Sequence, residues 1–425
     1  MNQSLNPQIC PERSSSGQAG GPLPPLCIPG QQLSRICSPP LKRKIAIVTS
    51  SRADYAHARW LVDELRRNSQ IEVQLIALGP HLSPLFGNTG KTIASTKSVR
   101  FSFEQVECLL DSDTDVGMAK TIGVATLGVA DVLARLRPDI LVLIADRYEM
   151  LAPAAAALAL RIPMAHIEGG EITVGAIDDA VRNALTKMSH LHFACTRKAA
   201  ERIAAMGEED WRITFSGSLS LDVLQRERLL TRVQLKRKLG FEIEPDAVVC
   251  LYHPVTMLAN TVEEAKEVFE TLRNLDQQLV FVYPNADAGG RELIQMAVRV
   301  AAEHGNARVL VNLEHRVYLS LLKNAGVLVG NSSSGIIEST SLGIPVVNIG
   351  IRQRGREHAT NVLDVPAKRR AIQAAVREAL APDFRRSVQG LENPYGSGRA
   401  AQTISKVLAA APLGPKLLFK HAELL

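Results

Sequence analysis

The feature that most narrows the possible folds is an alternation. From Lys44 onward, short apolar runs bounded by turn residues trade places with stretches whose apolar residues recur at helical spacing. The runs are IAIV (45–48), VQLIALG (73–79), DILVLIAD (139–146), PMAHIE (163–168) and RITFSG (212–217). HARWLVDELRR (57–67) and TIGVATLGVADVLARLR (121–137) are helical stretches between them. Strands apolar throughout have both faces buried, and intervening helices predict a parallel sheet covered on both sides. The pattern then restarts with AVVCLYHP (247–254), QLVFVYP (278–284), ARVLVNL (307–313), GVLVGN (326–331) and IPVVNIG (344–350). The expectation is an α/β chain of two doubly wound, Rossmann-like domains, 42–217 and 218–397, with a cleft between them. In such sheets ligands lie beyond the carboxyl ends of the strands, so the loops there hold the candidate residues.

Composition sets the outer limits. A length of 425 residues suits two cores better than one. A net charge of +6 and a pI near 9.0 fit a small anionic substrate. Nucleic acid is not expected, because no run of five or six Lys/Arg occurs and aromatics are only 4%. The six cysteines form no CxxC pair, so neither a zinc ribbon nor a disulfide framework is expected, and a reduced, cytoplasmic setting is the simplest reading. No unbroken run of 18 apolar residues exists, and AAAALAL (154–160) is interrupted by Arg161 and Pro163, so no membrane span is expected. Residues 1–41 are rich in Pro, Gly and Ser without any core-building period. They read as a disordered, dispensable tail.

In the second half, GNSSSGIIES (330–339) follows a strand and opens a helix. Its glycines and serines free backbone N–H groups at the positive end of the helix dipole, which suits a phosphate; a serine-rich cap that binds nothing is the plain alternative. Ser332 and Ser333 are the candidates there, with Glu338 about one turn from Ser334 and placed for sugar hydroxyls. GIRQRGREH (350–358) brings Arg352, Arg354 and Arg356 past the next strand, and guanidinium forks suit phosphate oxygens. His253 ends a strand in LYHP, and Arg52 of SSRADY holds the matching place in the first half, with Arg147 of DRYE a further candidate cation. GxGxxG is absent, so no NAD fingerprint is present.

Four carboxylates crowd HIEGGEITVGAIDDAVR (166–182): Glu168, Glu171, Asp178 and Asp179. Asp146 and Glu168 each end a strand, while Asp178 and Asp179 begin a helix marked by Ile177, Val181, Leu185 and Met188. One of the pair reads as a helix cap, and Arg182 stands at i, i+4 from Asp178. Acids converging from separate strand ends repel unless they share protons or face a cation. That arrangement suits acid–base work beside a departing phosphate.

SSRADY, HLSP, DRYE, HIEGGE, IDDAVRNALTK, HPVT, GNSSSGIIE and NIGIRQRGRE follow one another over residues 44 to about 365. Together they resemble the hydrolysing UDP-N-acetylglucosamine 2-epimerases of sialic acid biosynthesis. The resemblance implies the glycosyltransferase-B architecture, with a C-terminal helix (398–425) packing back on the first domain. It implies conversion of UDP-N-acetylglucosamine and water to N-acetylmannosamine and UDP, by elimination to a 2-acetamidoglucal and hydration with inversion at C2. It assigns acid–base roles to Asp146, Glu168, Asp178 and Asp179, and UDP contacts to Arg52, His253, Ser332, Ser333, Glu338 and Arg352. No metal or cofactor is expected, a homodimer or homotetramer is, and a fused kinase is not. Ala145 stands where the family places Gly, and Ser51 where it places Thr. Rivals are the UDP-N,N′-diacetylbacillosamine 2-epimerases, the non-hydrolysing 2-epimerases, which resemble HxEAGLR and PEE instead, glycosyltransferases of the same architecture, and a non-catalytic sugar-nucleotide sensor.

Overall fold

The strands form two separate parallel sheets, one in each half of the chain. The computed structural model describes residues 42–83, 89–94, 102–110, 114–174, 177–253, 261–283, 290–311 and 313–421. The 1–41 segment, the end of HLSP, most of HPVT and the side chain of Arg52 lie outside these residues. The first sheet contains β1 (Arg43–Thr49), β2 (Ile71–Leu78), β3 (Ser102–Val106), β4 (Ile140–Ile144), β5 (Met164–Ile167), β6 (Leu191–Ala194) and β7 (Ile213–Phe215). The second contains β8 (Val248–Leu251), β9 (Leu279–Tyr283), β10 (Ala307–Val311), β11 (Val327–Gly330), β12 (Val346–Ile349) and β13 (Val362–Val365).

Strand order is β3-β2-β1-β4-β5-β6-β7 in one sheet and β10-β9-β8-β11-β12-β13 in the other. Both orders reverse direction once, between β1 and β4 and between β8 and β11. A doubly wound sheet opens a crevice at such a switch point. The architecture is therefore two-domain α/β, with both sheets inside one compact unit. The strands are buried because they are almost wholly apolar: Ile45, Ile47, Val142 and Ile167 face one helical layer, and Ala46, Val48, Leu141 and Leu143 the other.

Three strands escape the sequence pattern. β3 and β13 are edge strands, half exposed and mixed in polarity. β6 is buried but only four residues long and interrupted by His192. The helix Arg52–Arg67 starts earlier than its apolar period marks, because Ser51 caps it by accepting from the Asp54 backbone N–H at 3.2 Å. The helix Asp115–Leu136 is long and apolar enough to cross a membrane by length and composition. Lys120, Asp131 and Arg135 break its apolar sequence, so it escapes a search for unbroken runs. It lays Ala125, Val129, Val132 and Leu133 into the first domain's core.

The last long helix, Ala400–Ala410, belongs to the first domain's core through Ala400, Ala401, Ile404 and Leu408. Asp222, from the segment joining the domains, accepts its first two N–H groups, from Ala400 at 2.9 Å and Ala401 at 3.2 Å. Arg43 of β1 receives its far end, donating to the carbonyls of Ala409 at 2.7 Å and Ala411 at 2.9 Å. Both helix ends thus find charged partners for groups the helix cannot satisfy itself.

Candidate active site

The loops beyond the two switch points carry the candidate residues. In the first domain β1 ends at Thr49, β4 leads through Ala145 to Asp146 and Arg147, and β5 leads to Glu168. Ala145 and Glu168 both have positive φ, 61° and 70°. Such conformations cost a non-glycine residue energy and persist where the surroundings impose them. His166 is part of what imposes this one: its Nε2 lies 2.8 Å from the Ala145 carbonyl, and its Nδ1 lies 3.1 Å from Thr186 Oγ1.

Asp178 and Asp179 lie in the first turn of the helix Ile177–Met188, and the two differ in their surroundings. Asp179 accepts from the Thr173 N–H at 3.0 Å and lies 3.6 Å from Arg182. Arg182 is fully buried; it also pairs with Asp146 and donates to the Glu171 carbonyl and Thr173 Oγ1, both at 2.9 Å. The i, i+4 pairing of Arg182 with Asp178 expected from the sequence is replaced by these contacts. A helix turns 100° per residue, and Arg182 points to the sheet side where Asp146 and the 171–173 backbone lie. Burial, then the neighbouring Arg356, lowers Arg182 to about 9, so it remains a cation at neutral pH.

Asp178 faces the cleft instead. Burial raises its pKa, while Arg352 first, then Arg147 and Arg356, work against that. Arg352 and Arg356 come from the second domain, so Asp178 is within electrostatic reach of both halves. Arg147 itself holds Glu149 by two bonds, of 2.8 and 3.2 Å. Glu168 is shifted strongly: burial lifts it to about 7. Glu171 and Asp54 add to the rise, whereas Arg356 and the Ser218 hydroxyl oppose it.

The second domain supplies a backbone cradle. Gly330 has φ 144°, and a Cβ there would come 2.1 Å from the Leu251 carbonyl oxygen, so β8 and β11 meet this closely only with glycine. The next residue, Asn331, exchanges hydrogen bonds with the backbone of His253, at 2.7 and 2.8 Å. Its carbonyl accepts from Arg352 at 3.0 Å and Gln353 at 2.9 Å. Burial and Arg352 hold His253 neutral, at about 3. Ser332 caps the short turn Ser333–Gly335, and Glu338 begins the following helix with its carboxylate buried. Burial raises Glu338, and His57 with the hydroxyls of Ser220 and Ser334 opposes the rise.

Arg356 ties the halves together. It donates to the Ile172 carbonyl at 2.9 Å and Thr173 Oγ1 at 3.1 Å, and lies 3.8 Å from Glu171. Tyr395 donates to the same Glu171 carboxylate at 3.1 Å. The acid-rich segment is therefore partly a domain clamp: Glu171 serves Arg356 and Tyr395, whereas Glu168 and Asp178 line the cleft. Sequence reasoning named neither Tyr395 nor Asn331. Nothing in the spacing of a lone Tyr or Asn marks it, though Asn331 adjoins the serine turn.

A family model described as UDP-N-acetylglucosamine 2-epimerase matches residues 63–409. The chain is 35% identical over 382 residues to a hydrolysing UDP-N,N′-diacetylbacillosamine 2-epimerase of Legionella pneumophila, covering 89% of this chain and 98% of that one. It is 36% identical over 326 residues to a hydrolysing GDP/UDP-N,N′-diacetylbacillosamine 2-epimerase of Campylobacter jejuni, covering 76% and 84%. It is 31% identical over 357 residues to the polysialic acid biosynthesis protein P7 of Escherichia coli, covering 83% and 90%. Among solved structures, the S. aureus MnaA–UDP co-structure shares the fold with a TM-score of 0.71 and 16% identity, over 86% of this chain and 96% of that one.

Proposed function

The chain belongs to the UDP-N-acetylglucosamine 2-epimerase family, and from that premise we propose that it is a hydrolysing 2-epimerase of a UDP-linked 2-acetamido sugar. The observation that carries the reading is the pairing of Glu168, poised near pH 7, with the cations Arg147, Arg352 and Arg356 around Asp178. A carboxylate of that basicity accepts and returns protons at neutral pH, and the cations suit a departing diphosphate.

The reaction runs in two steps. Glu168 takes the proton from C2 as the C1–O bond breaks and its electrons leave with UDP, forming the C1–C2 double bond of a 2-acetamidoglycal. Water then gives its hydroxyl to C1 while a proton returns to C2 on the opposite face, releasing the free sugar inverted at C2. Asp178, raised by burial, is the acid for that return. Asp146 and Asp179 act through Arg182, which holds the 171–173 segment in place. Arg352 and the Ser332–Ser333 turn hold the diphosphate, with His253 beside them, and the family resemblance adds Arg52 to this group. Glu338 is placed for a sugar hydroxyl.

UDP-N,N′-diacetylbacillosamine is the substrate best supported, because two relatives named for it are 35–36% identical to this chain. UDP-N-acetylglucosamine is the second reading, supported by the family description and by the 31% identity to a polysialic acid protein. Proton NMR in deuterated water with each sugar nucleotide in turn tests both. The expected result is a free C2-inverted sugar carrying deuterium at C2, with UDP in equal amount, and a higher kcat/KM for the diacetamido substrate. Retention of the original C2 hydrogen, or accumulation of the C2-inverted UDP-sugar, would refute hydrolytic elimination. Arg352→Ala should weaken UDP binding by about 1.5–3 kcal/mol in calorimetry.

A further inference from the structure

On the outer side of the first domain, the helix Asp115–Leu136 presents an apolar face that nothing among the described residues covers. Leu127 is 74% exposed, Val116 62% and Val124 40%, and Leu158 of the adjoining helix Leu151–Ala159 is 57% exposed. Spacings of three and four put Val116, Lys120, Gly123, Val124, Leu127 and Asp131 on one face, away from the side that packs Ala125, Val129 and Leu133 into the core. Gly123 is unexplained within one chain. A Cβ there would meet nothing within 4 Å and its φ is not positive, so neither space nor conformation demands glycine. Gly128 differs, since a Cβ there would come 2.7 Å from Val106 Cγ1. A glycine inside a helix destabilises it relative to alanine, so Gly123 calls for a cause outside the chain. Lys120 and Asp131 are both exposed and make no ion pair among the described residues. About three turns, roughly 16 Å of helix axis, separate them, too far for them to pair with each other.

We propose that this face docks on the same face of a second copy of the chain, the two helices lying antiparallel about a two-fold axis. A two-fold that sets Val124 against the partner's Leu127 also sets Lys120 against the partner's Asp131, because both pairs share one midpoint along the helix. Symmetry makes each contact twice, giving two apolar pairs at the centre and an ion pair at either end. Gly123 lies beside that centre, where the lack of a side chain lets the helix axes approach closely. Charge and apolar patterns are thus self-complementary in a single register, as an isologous interface requires. A bilayer is the other apolar surrounding that the length and composition of this helix fit. It would leave Lys120 and Asp131 unpaired in hydrocarbon, and it gives no reason for Gly123.

The test is the oligomeric state of the full chain, by sedimentation velocity across a concentration series. The wild type should be dimeric at micromolar concentration. Leu127→Glu should raise the dissociation constant roughly a hundredfold or more, since symmetry removes two buried leucines at once. Lys120→Glu and Asp131→Lys each set like charges opposite one another twice, and each should weaken the dimer about tenfold or more. Mixed in equal amounts, those two variants should associate with each other, and the double variant should dimerise as the wild type does. Circular dichroism melts establish that the variants are folded, and should Leu127→Glu not fold, the charge exchange carries the test. A monomeric wild type overturns the proposal, as does a dimer indifferent to Leu127→Glu and to both charge reversals, or a mixture of the two reversals no tighter than either alone. A monomer that floats with phosphatidylcholine vesicles, and no longer does so as Leu127→Glu, assigns the face to lipid and overturns it too. No readout involves a sugar nucleotide, so the outcome is independent of the proposed reaction.

Discussion

Glu168 concentrates the tension between folding and function in one side chain. Its folded pKa of about 7 lies above the ordinary 4.5, so the fold prefers it protonated. The stability this gives is fully present below pH 4.5 and is lost as pH rises through 7. At pH 8 the ionised group costs the fold up to about 3 kcal/mol. Glu168→Gln should therefore raise stability at pH 8 while lowering turnover by ~10²–10⁴, and chemical denaturation with a parallel rate assay checks both. In the wild type, kcat/KM should fall on the acid side with an apparent pKa near 7. Ala145 carries the converse lesson. Its φ of 61° suits the glycine that the family resemblance implies, and a left-handed residue with a Cβ costs about 1–2 kcal/mol. Against that, glycine loosens the unfolded chain by roughly 0.5–1 kcal/mol. Ala145→Gly should thus stabilise by up to about 1 kcal/mol, seen as a higher denaturant midpoint with turnover intact.

At the scale of elements, the C-terminal helix is structural. Ala400, Ala401, Ile404 and Leu408 are fully buried, and Leu417 just beyond them is too. Removing residues 398–425 would bare that apolar face, strip Asp222 of both N–H donors and leave Arg43 without its carbonyl acceptors. Each fully buried leucine or isoleucine alone contributes about 1.5–3 kcal/mol. A chain ending at 397 should accumulate as insoluble protein, and a soluble one with an unchanged melting temperature would contradict the packing described. The clamp between domains behaves differently. Arg356→Ala removes bonds to Ile172 and Thr173 that lie between loops rather than in a core, so it should lower turnover more than stability. Comparing kcat/KM with Tm in that variant separates the two.

For the whole molecule, acid is the expected weakness. Burial holds His81, His166 and His190 down to about 4 and His253 to about 3. Each binds its proton more readily in the unfolded chain, near pH 6.5, so stability falls as pH drops below that value. By pH 4 the loss is at most about 3 kcal/mol for each histidine, against a total stability on the order of 5–15 kcal/mol. Burial lowers His192 and His315 as well, and Glu168 acts in the opposite sense between 4.5 and 7, one group against these six histidines. Thermal melts followed by circular dichroism should show Tm declining steadily from pH 6.5 towards 4. A Tm flat down to 4.5 would mean these imidazoles are not held neutral.

The alternation of apolar runs with helical periods determined the α/β class and the two-sheet division, because continuous apolar strands have few other ways to hide both faces. The same reading located the loops, since a strand's carboxyl end is visible where its apolar run stops. Edge strands such as β3, and the four-residue β6, escaped because half exposure or brevity erases the pattern. Only the tertiary structure decided how the acids divide. Glu171 is bound by Arg356 and Tyr395, and Asp146 shares Arg182 with Asp179, contacts that join segments far apart in the chain. Glu168 acquires its basicity from the burial around it, which no local sequence encodes.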